Sequence, residues 1–288
     1  MIWISDQWKD YEVLDTSDGE RLERWGKYIL VRPDPQVIWN TPHTAPEWKR
    51  YDARYLRSNT GGGRWTDHNL PERWQIKYRD YLTFNVKPMN FKHTGVFPEQ
   101  AANWDFIREK CANAGRPVKV LNMFAYSGGA TLAAAAGGAE VWHVDAAKNM
   151  VAWAKENAQA SGLADKPIHW IVDDCAKFIQ REIRRGRRYD GIIMDPPSYG
   201  RGPSGEIWKM ETSFYPFLLE VAKILSDDPL FVIINSYTTG LAPSAVGYAS
   251  DVVFGEVAGG HTTVGELGLP VRESGLMLPC GSTGRWTP

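Results

Sequence analysis

One segment, residues 118–145, restricts the fold of this chain more than any other. An apolar run typical of a β-strand leads into a turn with Ser127, Gly128 and Gly129, and an alanine-rich stretch typical of a helix follows. A second strand pattern then ends in Asp145. This order of strand, glycine turn, helix, strand and acid is typical of a doubly wound α/β sheet that holds an adenosine-containing cofactor.

The spacing of the glycines separates this pattern from the fingerprint of dinucleotide-binding enzymes. That fingerprint, G-x-G-x-x-G, holds a pyrophosphate, whereas here Gly128 and Gly129 are adjacent and the next glycines are Gly137 and Gly138. A phosphate site is therefore not favoured. Asp145 can instead accept hydrogen bonds from both ribose hydroxyls. Its structural alternative is to act as the N-cap of the helix that follows.

A second motif, Asp195-Pro196-Pro197-Ser198-Tyr199, follows an apolar strand pattern at about the place where the fourth strand of such a sheet should end. Ligands bind at the carboxyl ends of strands in open α/β sheets, so we expect both motifs to face one cleft. The prolines fix an extended backbone whose carbonyls can accept hydrogen bonds. With the Asp195 carboxylate, these carbonyls can orient a planar nucleophile. Tyr199 is expected either to stack on a base or to pack in the core, and the structural alternative for the whole motif is a turn that closes a strand.

Together the two motifs resemble class I S-adenosylmethionine-dependent methyltransferases, in particular the branch that methylates large-subunit (23S) ribosomal RNA and combines an F-x-Y-[ST]-G-G turn with a D-P-P-[ST] loop. The resemblance implies an α/β fold with a seven-stranded, doubly wound, Rossmann-like sheet. It also implies S-adenosyl-L-methionine as methyl donor and S-adenosyl-L-homocysteine as product. The cofactor residues that it implies in the glycine turn (residues 124–129) are Phe124, Ala125, Tyr126, Ser127, Gly128 and Gly129. The catalytic residues that it implies in and after the D-P-P-S loop (residues 195–198) are Asp195, Pro196, Pro197 and Tyr199.

Two consecutive acids, Asp173 and Asp174, end the third strand pattern and precede Cys175. In the family an acid at this place receives the adenine amino group, and the next backbone N–H meets the ring. The position just before the small residue favours Asp174 with Cys175 for this role, with Asp173 as the alternative. One of the two acids is expected to cap the following helix instead.

A segment before the first strand is similar to the K-T-G-x-x-x-D-Q-R segment of the same branch. The matching residues are Lys92, Thr94, Gly95 and Gln100. The resemblance implies that Thr94 and Gln100 contact the cofactor. His93 is inserted, Glu99 replaces the acid, and Ala101 stands where the arginine is expected. The family's arginine contact, assigned to the methionine carboxylate, therefore has no counterpart at that position.

The rhythm of the chain predicts two domains. Residues 1–90 contain short strand patterns separated by proline and glycine, which indicates a small β-rich accessory domain. Residues 91–288 alternate helix and strand patterns, as a methyltransferase domain would. We expect this domain to end in an antiparallel strand pair at 251–258 and 274–280.

The accessory domain combines positive charge with aromatic residues. Residues 21–92 carry fourteen Lys or Arg against seven acids, although the whole chain has a net charge of −1. The tryptophans of this window are Trp25, Trp39, Trp48, Trp65 and Trp74. Cations and stacking surfaces are suited to RNA. The alternative is a tryptophan core with a solvated charged rim.

The positions of the cysteines bear on the atom that is methylated. Methylation at cytosine C5 requires a thiolate, which related RNA enzymes place in the fourth-strand loop or after the fifth strand. Neither the D-P-P-S loop nor residues 235–239 contain cysteine. We therefore predict transfer to a base nitrogen in RNA, with ribosomal RNA favoured. The alternatives are a cytosine-C5 RNA methyltransferase and a methyltransferase that acts on protein or a small molecule. A non-catalytic RNA-binding protein is disfavoured because Asp195 and the glycine turn are intact.

Three scattered cysteines, Cys111, Cys175 and Cys280, are too few for a disulfide framework or a zinc site. We therefore expect a cytoplasmic protein without a metal. The first residues lack a signal-peptide pattern, and no apolar run approaches the ~20 residues that a membrane-spanning helix needs. No membrane partner is expected, and the patterns predict no particular oligomeric state.

Overall fold

The structure, a computed structural model, describes residues 1–58, 62–66, 70–201 and 207–288. In chain order its strands are β1 (Ile2–Ile4), β2 (Tyr11–Ser17), β3 (Glu20–Trp25), β4 (Tyr28–Pro33), β5 (Ala53–Arg57), β6 (Gly63–Thr66), β7 (Trp74–Tyr78), β8 (Leu82–Val86), β9 (Lys119–Met123), β10 (Glu140–Asp145), β11 (Ile168–Val172), β12 (Gly191–Met194), β13 (Tyr199–Arg201), β14 (Ile207–Lys209), β15 (Phe231–Ser236), β16 (His261–Pro270) and β17 (Met277–Thr287). The α-helices are α1 (Ala101–Ala112), α2 (Gly129–Ala136), α3 (Lys148–Ala160), α4 (Cys175–Arg185), α5 (Met210–Ala222) and α6 (Pro243–Ala258). Short 3-10 helices cover Pro46–Lys49 and Pro98–Gln100.

The chain forms two compact units. The larger unit contains residues 1–3, 103–267 and 281–288, and the smaller contains 4–102 and 268–280. The domain boundary at residue 90 stays a prediction. The compact units are divided at other residues. The smaller unit extends to residue 102 because hydrogen bonds tie this stretch to its first residues: Ser5 Oγ donates to the Glu99 carbonyl at 2.7 Å, and Trp8 Nε1 donates to the Pro98 carbonyl at 2.9 Å.

The sheet of the larger unit has the strand order of a doubly wound fold. Within the described residues it contains eight strands in the order β1-β16-β17-β15-β12-β9-β10-β11. The neighbours from β11 to β15 run parallel, and β17 is antiparallel to β15. The predicted fold class is thus confirmed, with the short N-terminal strand β1 adding to the seven strands expected. The order in which successive strands are added to the sheet changes direction between the parallel neighbours β9 and β12. Ligands of such sheets bind at this topological switch point.

The end of the chain differs from the prediction. We expected a strand at 251–258, but these residues belong to α6, and the final antiparallel strands are β16 and β17. The apolar run near Val253 resembles a strand locally. The buried residues of α6 are nevertheless spaced as on one helix face: Val246, Gly247, Ser250, Val253 and Phe254. Pro243 at the first position also favours helix initiation.

The smaller unit has its own sheet, in the order β2-β3-β4-β5-β6, and the β7-β8 hairpin. Ion pairs are buried inside it. Glu23 accepts two hydrogen bonds from the Arg32 guanidinium, at 2.5 and 2.7 Å, and one from Tyr11 Oη at 2.6 Å. Arg21 Nε lies 3.3 Å from Glu23 Oε1. Burial disfavours the charged form of Glu23, but the two arginines outweigh that effect and lower its pKa from 4.5 to about 2.

The tryptophans of the basic window serve the interior of this unit. Trp25 and Trp65 are buried. The indole N–H groups of the other three donate to internal acceptors: Trp39 to the Thr16 carbonyl at 3.1 Å, Trp48 to Asp15 Oδ2 at 2.8 Å and Trp74 to the Trp25 carbonyl at 3.1 Å. These contacts favour the tryptophan-core interpretation, and RNA binding by this unit stays a prediction.

We predict that Glu23→Gln destabilises the smaller unit. The substitution leaves Arg21 and Arg32 without the buried carboxylate, and breaking such a pair costs roughly 3–5 kcal/mol. The matched control Glu12→Gln removes the partly exposed contact with Arg24 at 3.4 Å and should cost below about 1 kcal/mol. Urea unfolding followed by tryptophan fluorescence measures both.

The lowered pKa of Glu23 fixes the pH dependence of this difference. The stabilisation is fully present above pH 4.5 and is lost as the pH falls towards the folded-state pKa of about 2. The gap in stability between the parent protein and Glu23→Gln should narrow over that range. Equal unfolding midpoints for the two proteins at pH 7 would show that the buried pairs do not stabilise the unit.

Candidate functional site

The predicted motifs meet at one edge of the larger sheet. In β9, Met123 pairs with Val144 of β10 and with Met194 of β12. The residues that follow, Phe124 and Asp195, therefore lie at the ends of neighbouring strands. Neighbouring strands in a sheet are about 4.8 Å apart. Asp145 ends β10 beside β11. This edge is the carboxyl side of the switch point between β9 and β12, so the glycine turn and the D-P-P-S loop face the same region.

The glycine turn has an unusual backbone that several distant groups hold in place. Phe124, Tyr126 and Gly128 have positive φ angles of 54°, 49° and 93°. Such values are uncommon for non-glycine residues and often mark functional sites. Phe124 N–H donates to Cys175 Sγ at 3.4 Å, and Asn157 Nδ2 donates to the Ser127 carbonyl at 2.9 Å. Ala125, inside the turn, donates its N–H to the Val144 carbonyl at 3.2 Å.

The two glycines of the turn are required for different reasons. Gly128 needs its positive φ, whereas a Cβ on Gly129 would lie 2.5 Å from the Trp104 ring. The backbone of Gly129 therefore lies directly against Trp104, where α2 begins. The first N–H groups of a helix have no partner within the helix and carry partial positive charge. The end of α2 thus provides donors for an anionic group such as a carboxylate.

Asp145 connects the turn to the end of β10. Its Oδ2 accepts the N–H of Tyr126 at 2.8 Å, and its Oδ1 accepts the N–H of Ala147 at 2.8 Å. The N-cap residue of α3 is Ala147, so Asp145 does not fill the capping role considered from the sequence. Each carboxylate oxygen can accept two hydrogen bonds. Asp145 can therefore hold the turn and still accept hydrogen bonds from two ribose hydroxyls.

One of the two consecutive acids caps a helix, as the sequence predicted. Asp174 Oδ1 accepts the N–H of Lys177 at 2.9 Å and is the N-cap of α4. Asp173 accepts the N–H of Asp174 at 2.9 Å and forms an ion pair with Arg181. The acid favoured for the adenine contact is thus the capping acid, and its Oδ2 is the oxygen that the cap does not use. The choice between Asp174 and Asp173 stays a prediction.

The D-P-P-S loop is fixed from three sides. Trp208 Nε1 donates to the Pro197 carbonyl at 2.6 Å, Met210 N–H donates to the Ser198 carbonyl at 3.0 Å, and Ser198 Oγ lies 2.8 Å from Thr238 Oγ1. The sequence suggested that both proline carbonyls are free, but Trp208 uses that of Pro197. Tyr199 lies in the β13–β14 hairpin and is 51% exposed, so its core-packing alternative is not supported.

The cysteines of the larger unit are buried thiols. Burial raises the pKa of Cys111 to about 12 and the pKa of Cys175 further still. Cys280 belongs to the smaller unit, and burial raises its pKa too. Because the thiolate is the nucleophilic form, these environments suppress the reactivity that cytosine-C5 chemistry needs.

Thr94 and Gln100, the other predicted cofactor residues, belong to the smaller unit, and both side chains are buried. Among the described residues, Thr94 Oγ1 has no hydrogen-bond partner. A buried hydroxyl without a partner is costly, which is compatible with a ligand contact. The cofactor role of these two residues stays a prediction.

The described residues contain no group of three or more His, Cys, Asp or Glu side chains that could hold a metal ion.

None of the helices within the described ranges is both long and apolar enough to cross a membrane.

Sequence reasoning missed three side chains that shape the site: Trp104, Asn157 and Trp208. Each contacts its target from a different helix or hairpin, so no local pattern points to it. One signal was present for Asn157, since it lies among the buried residues Trp153, Ala154 and Ala158 of α3. A polar residue on a buried helix face needs an internal partner.

Comparison with known proteins in sequence gives the following matches. Residues 36–212, more than half of the chain, match the family described as S-adenosylmethionine-dependent methyltransferase. The chain is 31% identical over 160 residues to a ribosomal RNA large subunit methyltransferase K/L of Shewanella baltica (strain OS195), a match that covers 53% of this chain and 21% of that protein. A protein of the same name from Chromohalobacter salexigens is 30% identical over 171 residues, with coverage of 57% and 21%. The matched region is thus about a fifth of these relatives' length.

Comparison with solved structures extends over the whole chain. The S-adenosylmethionine-dependent methyltransferase of Agrobacterium tumefaciens superposes with a TM-score of 0.93 and 36% sequence identity, covering 100% of this chain and 93% of that one. The sheet order, the glycine turn at the switch point and these matches agree. The chain therefore belongs to the family of S-adenosylmethionine-dependent methyltransferases.

Proposed function

We propose that this methyltransferase acts on RNA, with ribosomal RNA favoured, and that it transfers the methyl group to a base nitrogen. The observation that carries the proposal is the D-P-P-S loop beside the glycine turn, because neither segment contains a cysteine and the thiol that contacts Phe124, Cys175, is buried. The names of the relatives from Shewanella baltica and Chromohalobacter salexigens support an RNA acceptor. An enzyme that methylates ribosomal RNA would act in the cytoplasm.

The residues at the sheet edge fit the cofactor of this family. The N-terminal donors of α2 suit the methionine carboxylate, and the remaining acceptor positions of Asp145 suit the ribose. The adenine amino group is assigned to Asp174, with the backbone N–H of Cys175 for the ring.

The chemistry assigned to the protein is alignment. S-adenosylmethionine supplies a methyl group that its sulfonium centre already activates. Asp195 and the Pro196 carbonyl accept hydrogen bonds from the acceptor base and thereby direct a nitrogen lone pair. Orienting reactants in this way can contribute on the order of 7 kcal/mol or more. Trp208, Met210 and Thr238 hold the loop, so little entropy is lost when the acceptor binds.

The cofactor assignment predicts the effect of Asp145→Ala. The variant loses two charge-assisted hydrogen bonds to the ribose, each worth roughly 1.5–3 kcal/mol before water compensates, and it also releases the Tyr126 N–H. Binding of S-adenosylmethionine, measured by calorimetry, should weaken about 10-fold or more. The exposed acid Asp165 provides the charge-matched control Asp165→Ala, which should bind as the parent does. Unchanged affinity in Asp145→Ala would reject the ribose assignment.

The D-P-P-S loop predicts a separation of binding from chemistry. Asp195→Ala should bind S-adenosylmethionine within a few-fold of the parent, while methyl transfer to RNA from cells that lack the gene should collapse. Asp195→Asn retains hydrogen-bond capacity and should retain more activity than Asp195→Ala. Parallel losses of binding and turnover would make the loop a cofactor element, and undiminished turnover would remove it from the active site.

The nitrogen-acceptor proposal predicts that no thiol is required. A variant with Cys111, Cys175 and Cys280 all replaced by Ser should keep substantial methyl transfer once its folding and cofactor binding are verified. Because Cys175 Sγ accepts the Phe124 N–H, Ser at this position keeps an acceptor. An inactive but folded and cofactor-binding variant, together with a covalent adduct between the parent protein and 5-fluorocytosine RNA, would establish cytosine-C5 chemistry instead.

A further inference from the structure

A groove lies between α4 and α5 of the larger unit, outside the glycine turn. Its volume is about 810 Å³. A hydrogen bond of 2.7 Å from Gln180 Nε2 to Glu220 Oε2 joins the two helices along it. At one end the lining includes Asp174, the residue assigned to adenine, and Trp208 of β14 forms part of its wall. The groove thus borders the residue assigned to adenine and the tryptophan that holds the D-P-P-S loop.

One wall of the groove is a row of cations on α4. Lys177, Arg181 and Arg184 line it, and their spacing of four and three residues places them on one helix face. The row is about 10 Å long. Lys177 and Arg184 are exposed, and Arg181 forms an ion pair with Asp173.

The acids beside this row are already engaged. Glu220 accepts hydrogen bonds from Gln180 at 2.7 Å and from Lys223 at 2.6 Å. One oxygen of Asp174 caps α4. Among the described residues that line the groove there are three cations and two acids, so the net charge of the lining is positive.

The opposite part of the groove is aromatic. Trp208 and Phe217 line it, with ring centroids 5.4 Å apart in an edge-to-face arrangement. Phe217 is buried behind Trp208, so the half-buried Trp208 ring is the accessible one of the two. Ile207 next to them is 55% exposed. A positive row beside an accessible aromatic ring is a combination that binds single-stranded nucleic acid, because phosphates contact the cations and an unstacked base contacts the ring.

The position of Trp208 connects this surface to the reaction. Its ring lines the groove, while its indole N–H holds the Pro197 carbonyl of the D-P-P-S loop at 2.6 Å. A strand whose acceptor base lies at Asp195 therefore has its neighbouring nucleotides within reach of the groove.

We propose that the α4–α5 groove binds the single-stranded RNA segment next to the methylated base, with phosphates on Lys177 and Arg184 and a neighbouring base against Trp208. The proposal rests on the proposed function and specifies it: the acceptor is presented in an unpaired stretch rather than inside a duplex. Phosphate contacts fix the position of the strand, and the D-P-P-S loop selects the reacting base.

The test measures binding of a fluorescently labelled, mixed-sequence single-stranded RNA oligonucleotide by anisotropy over a series of salt concentrations. Each phosphate contact on a single strand contributes about 0.7 to the slope of log affinity against log salt concentration. The double variant Lys177→Ala/Arg184→Ala should lose about 1.4 from this slope and bind roughly 10-fold more weakly at low salt. Its affinity for S-adenosylmethionine should equal that of the parent.

A matched control removes two cations elsewhere on the same unit. Lys155→Ala/Lys166→Ala changes the net charge equally, at exposed positions outside the groove, and should keep the slope of the parent protein. If both double variants lost the same amount from the salt slope, the change in net charge alone would explain the weaker RNA binding, and the proposal would be overturned.

A third variant separates stacking from loop positioning. Trp208→Phe keeps a ring in the groove but loses the N–H that holds Pro197, so RNA affinity should stay within about twofold while kcat for RNA methylation falls. A loss of affinity with unchanged kcat would contradict this division of roles.

Two failures can be told apart. If the parent protein methylates RNA and Lys177→Ala/Arg184→Ala binds it with the affinity and salt slope of the parent, the groove proposal is overturned and the proposed function stands. If the parent protein itself transfers no methyl group to RNA, the proposed function falls and the groove proposal falls with it.

Discussion

The hydrogen bonds that Asp145 accepts from Tyr126 and Ala147 are the contacts on which the rest of the site depends. The bond from Tyr126 joins the carboxyl end of β10 to the glycine turn after β9, and the bond from Ala147 fixes the carboxylate locally. The turn needs such support because Phe124 and Tyr126 have positive φ angles. Non-glycine residues keep such uncommon φ angles only where the surrounding structure holds the backbone in place. A carboxylate at the end of β10 thus has two tasks: it holds the binding surface in shape and keeps acceptor positions for a ribose.

Other contacts complete that surface from separate parts of the larger unit. Cys175 Sγ receives the Phe124 N–H, Asn157 holds the Ser127 carbonyl, and Trp104 lies against Gly129. The same principle applies across the switch point, where Trp208 and Thr238 hold the D-P-P-S loop. Both halves of the site are therefore held in place by contacts within the protein, which suits an enzyme whose contribution is to align two reactants.

How much the sequence predicts depends on whether the determining contact is local. Apolar periodicity and the glycine turn predict β9, α2 and β10, and the acid and D-P-P-S positions follow from strand ends. The prediction of a strand at 251–258 was wrong because an apolar run alone does not distinguish a buried strand from a helix. The segments that pack against it decide between the two. The hydrogen bond from Trp208 to the Pro197 carbonyl depends on a tertiary contact that no local pattern shows. The sequence also does not decide which of the adjacent acids Asp173 and Asp174 caps α4, because both are equivalent in the local pattern. The tryptophans of the smaller unit show the limit of composition, since Trp25 and Trp65 are buried and the indole N–H groups of Trp39, Trp48 and Trp74 donate to internal acceptors.

The most direct measurement of the central claim follows the transferred methyl group. Purified protein is incubated with S-adenosylmethionine carrying a deuterated methyl group and with ribosomal RNA from cells that lack the gene, and the nucleosides are then analysed by mass spectrometry. A labelled methyl group on a base nitrogen is the predicted result, and it should disappear when Asp195 is replaced by Ala. A label found at carbon 5 of cytosine, or only in protein or small molecules, would contradict the account of an alignment-driven enzyme acting on RNA nitrogen.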